Sequence, residues 1–236
     1  MKLPVLMYHD IADDRDPDFL TVTVAQLDQQ FSYLRKQGYN SISFAQLMDY
    51  MEGNTSLPEK PVLISFDDGY ISNNDLLLPL LKKHDLHAAI FLVARFSCVD
   101  NPERKYLRPE VLKLMPYKHI SFGYHSLDHK NYNDLSVEQI EDDISQMLEL
   151  FRTHEVSLYP FFAYTYGAYP KRDEQKQAQL EQTFQKHGIK AAFRIGNRIN
   201  QLPLHKIYKI QRIDIRGTDS FFRFKLMLRF GRKWIP

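Results

Sequence analysis

Two adjacent carboxylates stand in Ser65-Phe66-Asp67-Asp68-Gly69, and two histidines four residues apart stand in His125-Ser126-Leu127-Asp128-His129. These residue types build a hydrolytic metal site. Such a site uses three protein ligands and keeps one position open for water. One Asp and two His fill three ligand positions, and the second Asp is left to act as base. Taken singly, the pieces are ordinary, because Asp-Gly commonly marks a turn and paired histidines occur on many surfaces. On a helical turn, residues i and i+4 lie on one face, so both rings can reach one ion. The combination carries the reading, and at this point either aspartate can be the ligand.

For these segments to meet, the intervening chain must bring distant strand ends together. Short apolar runs alternate with helical patterns along the sequence. Residues 5–8, 41–43, 61–66, 88–93, 120–124, 158–163, 190–195 and 208–215 read as strands. Residues 24–37, 44–51, 74–84, 109–115, 136–153 and 173–187 read as helices. Thr23 caps the first helix and Gly38 ends it. Ser136 and Gln139 form a capping-box pattern, and Pro79 predicts a kink in 74–84. About eight β–α units without a proline- or glycine-rich linker predict a parallel sheet. The expected class is α/β: a distorted (β/α)7-8 barrel in a single domain spanning 1–236, with an open doubly wound sheet as the alternative. His9, Asp67, Asp68, His125 and the Tyr164–Gly167 segment each follow a strand's C-terminal end. In a β/α barrel those ends form the face where active sites are built.

The two motifs, Ser-Phe-Asp-Asp-Gly and His-Ser-x-x-His, resemble the first two motifs of the polysaccharide deacetylases (carbohydrate esterase family four, the NodB homology domain). Pro4-Val5-Leu6-Met7-Tyr8-His9 and Phe162-Ala163-Tyr164-Thr165-Tyr166-Gly167 resemble the branch that deacetylates poly-N-acetylglucosamine, in which the motif order is circularly permuted. The resemblance runs from about residue 3 to residue 214. It implies a metal-dependent hydrolase that removes acetyl groups from N-acetylated amino sugars. Asp68, His125 and His129 would hold one divalent transition metal, Zn²⁺ or else Ni²⁺, Co²⁺ or Fe²⁺. Asp67 would be the general base. The backbone N–H of Tyr166 would stabilise the oxyanion, and His9 would protonate the departing amine. Tyr164, Thr165 and Gly167, with Tyr132 and Asn133 after the second motif, are expected to contact the sugar. The third motif of the family commonly reads Arg-x-Pro-Tyr-Gly; Ala163 and Thr165 stand here in the Arg and Pro places, which implies a looser or differently tuned oxyanion hole. The alternatives are an O-acetyl esterase, a cyclic amide hydrolase, or a glycan-binding protein without turnover.

The bulk composition is that of an ordinary globular domain. Of 236 residues, 44% are hydrophobic and 25% charged, and the formal net charge is +2. Beyond the basic tail nothing signals nucleic-acid recognition: there is no helix-turn-helix pattern and no aromatic RNA-binding strand motif. Cys98 is the only cysteine, so no intrachain disulfide forms. No apolar run approaches a membrane span, and Met1-Lys2 runs into Leu3–Tyr8 without a signal-peptide pattern. The expectation is therefore a cytoplasmic protein acting on a sugar nucleotide, a lipid-linked saccharide or a lipopolysaccharide precursor. From Leu204 onward the chain carries nine Lys or Arg and two Asp, a charge of about +7. Its end, about 218–236, reads as a basic amphipathic helix. We read it as a last barrel helix with a solvated face, the alternative being a helix resting on the inner face of an anionic membrane. His84, His87, His119, His154, His187 and His205 fall outside the motifs and read as surface or core residues.

Overall fold

The computed structural model describes residues 1–99 and 105–232. Seven parallel strands close into a barrel: β1 Val5–Tyr8, β2 Pro61–Phe66, β3 Ala88–Leu92, β4 Ile120–Tyr124, β5 Phe161–Ala163, β6 Ala191–Ile195 and β7 Ile210–Asp214. The ring closes where Ile213 of β7 pairs with Leu6 of β1, and where Val5 to Tyr8 pair with Leu63 to Phe66 of β2. The expected eighth strand is only Asn40–Ser41. It pairs with Pro61 and Val62, covering the edge of β2 below the point where β1 begins. The barrel is distorted at one seam, because β4 and β5 share a single paired position, Tyr124 with Phe162.

Period-two alternation decides which residues fill the barrel. In β2, Leu63 belongs to the inner cluster while Val62, Ile64 and Phe66 face the helices. In β3, Ala89 and Phe91 point in while Ala88, Ile90 and Leu92 point out. Phe91, Phe161 and Phe193 fill the interior. Phe44 closes the floor, with its ring centroid 4.8 Å from that of Phe161 and 5.3 Å from that of Phe91. Removing one such ring, as in Phe91→Ala, is worth about 3–5 kcal/mol. This crowding explains Gly123: a Cβ there would lie 2.9 Å from both the Phe161 carbonyl oxygen and the Phe91 ring.

Among the described residues, six helices of seven or more residues wrap or floor the barrel: α1 Val24–Lys36, α2 Phe44–Met51, α3 Leu78–His84, α4 Val137–Thr153, α5 Glu174–Lys186 and α6 Phe221–Phe230. Reciprocal capping boxes start three of them, from Thr23 and Gln26, Ser43 and Gln46, and Ser136 and Gln139. The helix expected over 74–84 runs from Asn73 to His84 and changes from π to α one residue before Pro79. A π-helical turn over Asn73–Leu77 comes first, and Pro79 sits in the first turn of α3. The tail helix forms as α6, Phe221–Phe230, inside the expected 218–236; residues 233–236 lie outside the described residues.

Candidate active site

The barrel mouth is built by extending strand pairing one residue beyond each strand. The Asp67 N–H donates to the Tyr8 carbonyl (2.9 Å), and the His125 N–H donates to the Leu92 carbonyl (2.9 Å). Both residues therefore keep the inward phase of Leu63 and Gly123. Asp68 would face outward if the strand continued. Instead its φ is +70°, and the left-handed turn brings this second carboxylate back over the mouth. Ser126 (φ +71°), His129 (φ +63°) and Tyr166 (φ +56°) take the same uncommon conformation. Each costs roughly 1–3 kcal/mol for a residue with a Cβ, so the rest of the fold holds these loops in place.

Asp68, His125 and His129 converge, their ligand atoms lying within 4.8 Å of one another. Asp68 Oδ1 is 3.2 Å from His129 Nε2 and 3.5 Å from His125 Nε2. Yet this buried oxygen has no hydrogen-bond partner of good geometry among the described residues. His125 Nδ1–H donates to the Ala163 carbonyl (2.7 Å), which leaves the Nε2 lone pair aimed at the same point. An unsatisfied carboxylate oxygen and imidazole nitrogens facing one point form a donor set that fits a divalent transition metal. The electrostatics agree for Asp68 and His125, while His129 is drawn toward its charged form by Asp68. Burial, against the pull of Asp67 and Asp68, lowers the His125 pKa and keeps the ring neutral, as a ligand must be. Burial opposes the charge on Asp68, but His129, His125 and His9 outweigh it and hold the carboxyl at about 2. Burial also works against charge on His129, and Asp68 overrides it and raises that pKa.

Asp67 is held apart from this triad. Its Oδ2 lies 3.7 Å from His125 Nε2. Its main partner is Arg212, whose Nη2–H donates to Oδ2 at 2.8 Å while Nη1–H donates to Oδ1. Arg212 is fully buried, on an inward position of β7. Burial would push the Asp67 carboxyl up, but Arg212 first, then His125 and His9, bring it below the ordinary carboxylate range. The residue is thus ionised and fixed in orientation. Our reading of the sequence did not single out Arg212. The available signal was a charged side chain on an inward strand position, which demands a buried partner.

His9 follows β1 directly, is partly exposed, and acts electrostatically on both aspartates. Its carbonyl accepts from Asn73 Nδ2 (3.4 Å). Tyr166 projects from the mouth, 64% exposed, with its ring 4.7 Å from that of His129. Thr165, in the place where the resemblance led us to expect proline, is buried, and its hydroxyl donates to the Lys130 carbonyl just beyond His129. The loop carrying the Tyr166 amide is thereby tied to the loop carrying the metal ligands. A cleft of about 570 Å³ opens beside Tyr166, with Asn133, Gly167, Tyr169 and Arg172 among its walls.

Three expected sugar contacts need correction: Thr165, buried with its hydroxyl given to Lys130, and two tyrosines. Tyr132 is 1% exposed, stacks on Phe162, and spends its hydroxyl on Asp143 Oδ1 (2.7 Å). Asp143 also accepts the Leu127 N–H, so Tyr132 braces the ligand loop from behind. Tyr164 is likewise buried, with its hydroxyl donating to the Tyr208 carbonyl (3.1 Å). Both lie under the groove rather than in it: alternation turns Tyr164 toward the helix layer, and the bond to Asp143 holds Tyr132 in the loop beneath.

The sequence profile of the family described as polysaccharide deacetylase matches residues 54–185. The Bacillus subtilis (strain 168) protein YxkH is 28% identical over 188 residues, 80% of this chain and 64% of that protein. The poly-beta-1,6-N-acetyl-D-glucosamine N-deacetylase of Escherichia coli K12 is 35% identical over 104 residues, 44% of this chain and 15% of the relative. The matches thus cover less than two thirds of either relative's length. Among solved structures, the Streptococcus pyogenes deacetylase PplD in complex with acetate superposes with a TM-score of 0.80, at 20% identity, covering 97% of this chain and 98% of that one. IcaB from Ammonifex degensii gives a TM-score of 0.78, at 20% identity, covering 98% and 97%. At that identity the superpositions establish the shared barrel.

Proposed function

The chain belongs to the polysaccharide deacetylase family, and from that premise we propose that it is a metal-dependent N-deacetylase acting on an N-acetylated amino-sugar saccharide. The observation that carries this reading is the meeting of Asp68, His125 and His129 in the barrel mouth beside an aspartate fixed by Arg212. An N-acetylglucosamine polymer is the substrate named for the Escherichia coli relative, and it supports the choice of sugar class.

Asp68, His125 and His129 would hold one divalent transition metal, Zn²⁺ or a neighbour in the first row. When bound, such an ion lowers the pKa of water and polarises a carbonyl. The remaining work belongs to side chains and backbone. Water adds to the acetyl carbonyl carbon, and Asp67 takes its proton. Arg212 keeps Asp67 ionised and aimed through the reaction. The Tyr166 N–H donates to the oxygen that gains negative charge. As the C–N bond breaks, His9 gives a proton to the amine nitrogen, leaving acetate and a free amino sugar.

The test is Asp67→Asn. Acetate release from N-acetylated oligosaccharides is expected to fall by about 10²–10⁴-fold, while metal content, measured by mass spectrometry, stays at the wild-type level. Undiminished release in this variant would remove Asp67 as the base. Release from O-acetylated sugars alone would replace the amidase reading with the esterase one.

A further inference from the structure

Helix α6 presents two stripes. Phe224, Met227 and Leu228 are buried, with Tyr33 of α1 edge-on to Phe221 and Phe224 at 5.6 and 6.4 Å between ring centroids. The other stripe follows the i, i+3, i+4, i+7, i+8 spacing: Phe222, Lys225, Leu226, Arg229 and Phe230. A solvated helix face is expected to be polar. This one carries a phenylalanine at each end, 66% exposed at Phe222 and 50% at Phe230. Its charge is of one sign, since Phe221–Phe230 holds Arg223, Lys225 and Arg229 and no carboxylate. The cations lie against the rings, with Lys225 Nζ 5.1 Å from the Phe221 centroid and Arg229 Cζ 5.2 Å from that of Phe230.

The cationic surface continues past Arg229. Two adjoining grooves of about 450 and 340 Å³ share Lys2, Ile199 and Arg229 as walls. Lys60 lines one of them, and no Asp or Glu lines either among the described residues. Lys2, Lys60, Lys225 and Arg229 thus lie on or beside the exposed side of α6.

We propose that this face docks on an anionic membrane surface, with Phe222 and Phe230 entering the headgroup layer and Lys225, Arg229, Lys2 and Lys60 meeting lipid phosphates. Single-signed charge selects an anionic partner. Exposed phenylalanines at both ends of the stripe select a layer with an apolar interior over a soluble polyanion, which offers the rings nothing to enter. α6 packs against α1 in the outer layer of the barrel, through the Tyr33 contacts to Phe221 and Phe224. No described helix is long and apolar enough to cross a membrane. The proposal is independent of the catalytic reading.

The experiment is sedimentation of the full chain with phosphatidylglycerol-containing vesicles and with pure phosphatidylcholine vesicles. Binding is expected only to the former, and it should weaken as salt rises. Lys225→Glu/Arg229→Glu should weaken it by about tenfold or more, and Phe222→Ser/Phe230→Ser should also release protein from the vesicles. Far-UV circular dichroism and the melting temperature should match wild type. If the charge-reversed protein fails to fold, Lys225→Gln/Arg229→Gln serves instead. No binding to anionic vesicles, equal binding to both vesicle types, or binding indifferent to both variant pairs would overturn the proposal. Binding to soluble heparin but not to vesicles would assign the face to a soluble polyanion and overturn it equally.

Discussion

Arg212 and Asp67, 145 residues apart in sequence, face each other in the barrel mouth as a buried two-pronged ion pair. The last strand thus orients a carboxylate that belongs to the second. Removing one member leaves the other charged, buried and unpaired. Arg212→Met is expected to cost about 3–5 kcal/mol, read by urea denaturation. Adding Asp67→Asn to it should recover part of that loss, because the stranded charge is gone. Arg212→Lys keeps the charge but loses the fork, so kcat should fall further than stability does.

The Asp68–His125–His129 site should be visible without any turnover. Wild-type protein reconstituted with Zn²⁺ is expected to hold about one ion per chain, and His125→Ala/His129→Ala none. Because an ion that binds only the folded state stabilises it, free zinc at a hundredfold excess over Kd should add about 2.7 kcal/mol. Differential scanning calorimetry of wild type and double variant, with and without zinc, checks this. A rise of equal size in both proteins would place the ion elsewhere.

Thr165→Val removes the hydroxyl that ties the Tyr166 loop to the Lys130 carbonyl while keeping the side chain's shape. The stranded carbonyl should cost about 1–3 kcal/mol. The Tyr166 amide would lose its fixed position, so kcat is expected to drop with little change in KM.

His87 supplies a pH dependence far from the mouth. Its Nε2 accepts from the Ser121 hydroxyl (2.7 Å), and its Nδ1–H donates to the Lys118 carbonyl (3.1 Å). Burial, with a smaller push from His119, lowers its pKa from 6.5 to about 4. The unfolded chain therefore binds a proton that the folded one refuses. Stability from this group is complete above pH 6.5 and is lost as pH falls toward about 4, by at most about 3 kcal/mol. In His87→Gln the unfolding free energy should lose that part of its slope between those pH values.

Much of the barrel was legible because strands buried on both faces read as short continuous apolar runs, as in Val62 to Phe66 and Ala88 to Leu92. Strand beginnings were less so. The run expected from 158 narrows to Phe161–Ala163, since Pro160 has no N–H to give a ladder. The family motifs in the sequence located the Asp68–His125–His129 cluster but not what supports it. Arg212 meets its partner across the barrel, and no local pattern encodes that meeting. Tyr132 and Tyr164 lie beside motif residues in sequence, yet strand phase buries Tyr164 and a hydroxyl bond to Asp143 buries Tyr132. Thr165 departs from the family's proline, and only the fold shows the hydroxyl contact at that position.

Phe91, Phe161 and Phe193, with Phe44 beneath them, stop the barrel from end to end. The site is a blind alley with one door. On the proposed reaction, whatever enters the mouth and whatever leaves it would pass the same end, since the plug of aromatic rings closes the other.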